Sequence, residues 1–202
     1  MDRCQRHPKT LVIGYGNLDR GDDGAAFHVV NRLRGRRGLS PLTEDDGGLG
    51  DLGQDAAVFV RQLLPELALD AADYDCIVLV DAHVTAEHRP VVYQRLQPEY
   101  QPPAAGHFMS PAMFLWLLQA LSPQIRSAFL VSVRGHCFEV RRGLSPATEA
   151  LIDPAVAGIL KLIHPECSAG MQPRKYHACT RKVIEPAAIL FPHCRPMEGG
   201  SL

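Results

Sequence analysis

Two aspartates stand side by side, Asp22 and Asp23, after the glycine-rich run Gly14-Tyr15-Gly16-Asn17-Leu18-Asp19-Arg20-Gly21. A third carboxylate, Asp81, closes the apolar run Cys76-Ile77-Val78-Leu79-Val80, and an imidazole, His107, follows Pro102-Pro103-Ala104-Ala105-Gly106. Two carboxylates and one imidazole supply oxygen and nitrogen donors that suit a borderline divalent ion such as nickel or zinc. Of the adjacent aspartates, one can cap the helix that follows while the other points outward. His83 is a rival donor, because it shares a strand face with Asp81 if the strand continues. His28, inside a helix, and His136, after the last strand, are weaker candidates.

The run from Gly14 also begins like a dinucleotide fingerprint, but Asp19 stands where a third glycine is needed. Carboxylates at 19, 22 and 23 would repel a pyrophosphate at the helix start. A nucleotide-binding α/β protein is therefore a disfavoured reading, and it predicts stabilisation by NAD or ATP.

These residues need a scaffold. Residues 11–14 form a short buried strand, 24–34 a helix, and 35–55 a long Gly- and Asp-rich loop. Residues 56–61 are a second strand and 63–72 a helix with Pro65 in its first turn. The branched apolar run at 76–81 predicts a central strand buried on both faces, as in a parallel sheet. Residues 91–96 come too soon after it for a crossover helix, so they predict its antiparallel neighbour and a mixed sheet. Ser110 and Pro111 cap and open a helix over 112–121, residues 128–133 form a strand, and Ser145-Pro146 opens a helix to about 163 with a kink at Pro154. The reading is a single α/β domain over 1–163 with an appended tail, 164–202. In sheets of this class ligands bind beyond the carboxyl ends of the strands, where Asp23 and Asp81 fall.

The bulk properties narrow the partners. A chain of 202 residues that is 46% hydrophobic and 21% charged can bury one full core. Its net charge of -1 and pI near 6.7 give no field to recruit nucleic acid. Neither a secretory core nor a membrane span of ~18 apolar residues is present, so a cytoplasmic protein is expected. The six cysteines, Cys4, Cys76, Cys137, Cys167, Cys179 and Cys194, show no CxxC pair and read as free thiols, with Cys76 a small core residue. The tail's cysteines with His164, His177 and His193 leave a zinc site there conceivable.

The motifs resemble those of the [NiFe] hydrogenase maturation proteases. The likeness lies in Val12-Ile13-Gly14-Tyr15-Gly16-Asn17 with Arg20-Gly21-Asp22-Asp23-Gly24, in Val78-Leu79-Val80-Asp81-Ala82, in a histidine before a Ser-Pro helix, and in Gly143-Leu144-Ser145-Pro146. It spans about residues 10–163. One departure is Val60-Arg61-Gln62-Leu63-Leu64-Pro65-Glu66-Leu67, where many relatives carry an Asp-Gly-Gly-Thr-like segment. The resemblance implies a three-layer α/β/α sandwich with a mixed five-stranded sheet, mostly parallel with one antiparallel strand. It implies an endopeptidase that removes the C-terminal extension of a nickel-loaded [NiFe] hydrogenase large-subunit precursor. By position, Asp23, Asp81 and His107 become the nickel-contacting and catalytic triad. The nickel belongs to the substrate, so no permanently bound cofactor is expected; the partner is the precursor and a monomer is the expected state. Water would be the nucleophile, activated either by the substrate's nickel or by a carboxylate base. The alternative is a non-catalytic scaffold or chaperone that recognises nickel through the same residues.

Overall fold

The computed structural model describes residues 8–43, 55–84, 89–101, 109–123, 125 and 127–163. These all lie within one compact unit, Met1–Gly170. Among them, five strands form one sheet: β1 (Thr10–Tyr15), β2 (Asp55–Val60), β3 (Cys76–His83), β4 (Val91–Arg95) and β5 (Ser127–Arg134), in the order β2-β1-β3-β5-β4. The β1–β2, β1–β3 and β3–β5 pairs are parallel and β4–β5 is antiparallel. The mixed sheet expected from the sequence is therefore present, with one difference. β4 is antiparallel to β5, not to β3. A short connection fixes a strand's direction but not its neighbour, and β5 enters between the two.

Helices cover both faces. On one, α1 (Ala25–Arg36) and α5 (Ile152–Ile163) bury Val12, Val78, Val80, Val131 and Val133; on the other, α2 (Leu67–Ala71) and α3 (Pro111–Leu121) bury Leu11, Ile13, Ile77 and Leu79. The alternation along β3, with Ile77 and Leu79 to one side and Val78 and Val80 to the other, explains its continuous apolar run. α1 reaches the sheet through Ala26, Val29, Val30 and Leu33, spaced for one helical stripe and fully buried.

Two helices differ from expectation. Residues 64–69 close i→i+3 bonds, Leu67 to Leu64, Ala68 to Pro65 and Leu69 to Glu66, so Pro65 lies in a tight turn and the α-helix begins only at Leu67. The helix expected from Ser145 to 163 is two, α4 (Pro146–Glu149) and α5, and the break falls at Ala150-Leu151, not at Pro154. Pro154 sits in the first turn of α5, where an amide would have no helical partner. α3 keeps its expected start: Ser110 Oγ accepts the Met113 N–H at 3.2 Å and Pro111 is the first helical residue.

α3 also orients one end of the molecule. Its C-cap, Ser122, donates its hydroxyl to the Ala72 carbonyl at 2.7 Å, just upstream of the start of β3. The helix rises about 16 Å over its length, and at its other end the Ala112 carbonyl accepts the Glu99 N–H at 3.2 Å.

Candidate functional site

The turn after β1 carries both adjacent aspartates in a single 3-10 turn, Gly21–Gly24, and neither caps a helix. They face different surroundings. Asp22 is fully buried and its carboxylate accepts five hydrogen bonds. Oδ2 receives the His136 N–H at 2.7 Å, the Cys137 N–H at 2.8 Å, the Ser145 hydroxyl at 2.7 Å and the Thr148 hydroxyl at 2.8 Å. Oδ1 receives the Ser145 N–H at 2.6 Å. Burial alone would raise its pKa, but the N–H groups of Ser145 and His136 and the two hydroxyls together hold it below its ordinary value of 3.8. Asp22 thus latches the turn after β1 to the segment after β5, and its backbone adds to the join: its own N–H donates to Cys137 O at 2.8 Å and Gly21 N–H to Arg141 O at 2.7 Å.

Asp23 is left half-buried. Its Oδ2 accepts the Asn17 N–H at 3.0 Å, which folds the turn back upon itself. Gly16 permits this closure. It holds φ +149°, and a Cβ there would lie 2.1 Å from the Asp23 carbonyl oxygen. Asp19, the residue that spoils a dinucleotide fingerprint, is tied instead to arginine: Arg142 Nε at 2.9 Å and Arg61 at 3.8 Å.

Asp81 is half-buried on β3. The strand continues two residues past it, pairing Asp81 with Ser132 and His83 with Arg134, so Asp81 lies inside the strand's last turn of pairing instead of closing it. Its Oδ2 accepts the Tyr15 hydroxyl at 2.9 Å and its Oδ1 the Ala82 N–H at 2.7 Å. Tyr15 is the last residue of β1, and the parallel register that pairs Gly14 with Val80 sets it beside Asp81. Asp81 faces the side of the sheet covered by α2 and α3, with Ile77 and Leu79.

Asp23 and Asp81 therefore share the rim formed by the carboxyl ends of β1 and β3. His107 lies outside the described residues, which resume at Met109, just before the start of α3. His83 continues the strand face of Asp81, as expected, and its Nδ1 is 3.0 Å from Ser132 Oγ. His136 is exposed, and it is its backbone that reaches Asp22. His28 sits in α1 with its ring edge-on to Phe27. Among the described residues no three His, Cys, Asp or Glu side chains gather as a metal cage. Cys76 and Cys137 are buried thiols outside any disulfide, and burial pushes the Cys76 thiol up. The tail with its cysteines and histidines falls outside the described residues.

The sequence singled out Asp22 but not its role as a latch, and it did not single out the Tyr15 hydroxyl. Both act through partners far along the chain, and spacing within a motif carries no sign of either.

No protein-family model matches the chain. In sequence it is similar to the hydrogenase 2 maturation protease of Escherichia coli (strain K12), 28% identical over 158 residues, which cover 75% of this chain and 88% of the relative. In sequence this chain is thus similar to a hydrogenase maturation protease. It also shares the fold of such proteases. The hydrogenase maturating endopeptidase HybD from E. coli superposes with a TM-score of 0.56 at 23% identity, over 78% of this chain and 93% of that one. The [NiFe] hydrogenase maturation protease HycI from Thermococcus kodakarensis KOD1 gives 0.57 at 13% identity, over 77% and 92%. The hydrogenase maturation protease fold thus spans the sheet and both helical layers described above. No helix among the described residues is long and apolar enough to cross a membrane.

Proposed function

We propose that this chain is an endopeptidase that removes the C-terminal extension of a nickel-loaded [NiFe] hydrogenase large-subunit precursor. The observation that carries the reading is the division of labour between neighbouring aspartates. Asp22 is consumed by five internal donors, while Asp23 is left half-buried on the rim that also bears Asp81. A relative named as a hydrogenase maturation protease supports it.

In this reading Asp23, Asp81 and His107 grip the nickel of the precursor, which is substrate and not a resident cofactor. Carboxylate oxygen and imidazole nitrogen suit that ion. Gripping it fixes the precursor so that the scissile peptide lies at the rim, and the gain comes from proximity and orientation. Water adds its hydroxyl to the acyl carbon as the C–N bond breaks, and a proton passes to the leaving amine. The polarising group is the substrate's nickel or the accepting base is one of the carboxylates. The reaction belongs in the cytoplasm, where the precursor is assembled, and the protease works as a monomer.

The test is incubation of the purified chain with nickel-loaded precursor while the mass of the large subunit is followed. Wild type removes the C-terminal peptide; Asp23→Asn, Asp81→Asn and His107→Ala are slowed by at least about 100-fold, the scale of losing a positioned group. Unimpaired cleavage by the Asp variants would remove the assigned site, and equal cleavage of nickel-free precursor would remove nickel recognition. A stoichiometric complex with the substrate's mass unchanged would identify a scaffold instead of an enzyme.

A further inference from the structure

We propose that Tyr15 is a positioning residue that sets the Asp81 carboxylate for the precursor's nickel. The inference rests on the function proposed above and adds a residue to it. Its geometry comes from two neighbouring strands. Tyr15 ends β1, Asp81 lies on β3, and the parallel register places them side by side on the same face of the sheet. The phenol donates to Oδ2 at 2.9 Å while the next residue's N–H, from Ala82, donates to Oδ1 at 2.7 Å. Each oxygen of the carboxylate thus takes at least one donor, of the roughly four acceptor sites that an ionised carboxylate offers.

A short carboxylate side chain on a strand has a broad terminal torsion and would otherwise turn freely about its last bond. The Ala82 amide restrains one oxygen but comes from the adjacent backbone and moves with it. The Tyr15 phenol comes from a different strand, so it fixes the carboxylate relative to β1, whose following turn carries Asp23. Holding Asp81 and Asp23 in one frame is what a shared ion requires, since an ion accepts its ligands only within narrow distances. The Tyr15 ring itself packs against the core on the α2 and α3 side, so the ring and the hydroxyl can be separated by mutation.

Tyr15→Phe keeps the ring and removes the donor. The expected result is a KM for nickel-loaded precursor raised roughly tenfold with kcat less affected, and a Tm lowered by no more than the few degrees that one lost hydrogen bond costs. In the Asp81→Ala background, which leaves the phenol no acceptor at this position, the same change adds nothing further to KM. Three results overturn the inference. One is a wild-type KM for Tyr15→Phe while Asp81→Asn is impaired, which leaves the proposed function standing. A second is an equal loss from Tyr15→Phe with and without Asp81, or a Tm lowered further than that with a parallel fall in kcat, which marks Tyr15 as structural. The third is wild-type processing by Asp81→Asn, which removes the site and Tyr15's role with it.

Discussion

Asp22 accepts two backbone amides from the segment after β5, a third from Ser145 and two hydroxyls, all from inside the protein. Replacing it by Asn puts an amide donor among donors and leaves some of them unmet, at about 3 kcal/mol, a loss that urea unfolding reads directly. Its depressed pKa sets a pH dependence of known sign. A carboxyl whose folded value lies below the ordinary 3.8 contributes stability that is complete above that value and is lost as the pH falls through the folded one. Thermal unfolding of wild type therefore weakens below about pH 4, and in Asp22→Asn this part of the acid dependence is missing. Gly16 makes a second prediction at this scale. Gly16→Ala places a methyl 2.1 Å from the Asp23 carbonyl in a left-handed backbone region, so it lowers stability by more than about 2 kcal/mol and abolishes processing together. The placement of Asp23 and Asp81 beyond or near the carboxyl ends of β1 and β3 was legible, because a carboxylate after a buried strand in an α/β sequence has few places to go. The partner of Asp81 was not, since Tyr15 is 66 positions away and becomes its neighbour only through strand register.

Elements were legible where one local signal decided them. The Ser-Pro start of α3 and the two-faced burial of β3 needed nothing beyond their own residues. The place of β4 did not follow from any local signal, because it depends on β5, more than thirty residues later, entering between β3 and β4. The break between α4 and α5 has a similar cause. Thr148 donates its hydroxyl to Asp22 at 2.8 Å, with the Arg134 carbonyl 3.1 Å from the same oxygen, so α4 is fixed by the latch while α5 follows the sheet. α5 settles there through a glycine. A Cβ on Gly158 would fall 2.1 Å from the Tyr93 hydroxyl and within 2.3 Å of two of its ring carbons, and that hydroxyl donates to Pro154 O at 2.9 Å. Gly158→Ala therefore lowers stability by about 1–3 kcal/mol by thermal unfolding, despite its better helix propensity. Tyr93→Ala in the same chain relieves the clash and recovers part of the loss.

One of the two helical layers is assembled from opposite ends of the described chain. α1 and α5 share one face of the sheet, and without α5 the valines of β1, β3 and β5 on that side lose much of their cover. A chain ending at Gly143 is thus expected to show no cooperative thermal transition by circular dichroism, whereas the full chain melts cooperatively. An α/β class with a mixed sheet was legible from the alternation of strand and helix signals, and the three layers were what the family resemblance implied; which loops meet at the rim was not legible. That meeting has a temporal side. The donors that satisfy Asp22 arrive 114 to 126 positions after it. A ribosome must therefore finish almost the entire domain before the turn bearing Asp23 can lock, and a partly synthesised copy has no means of cutting anything.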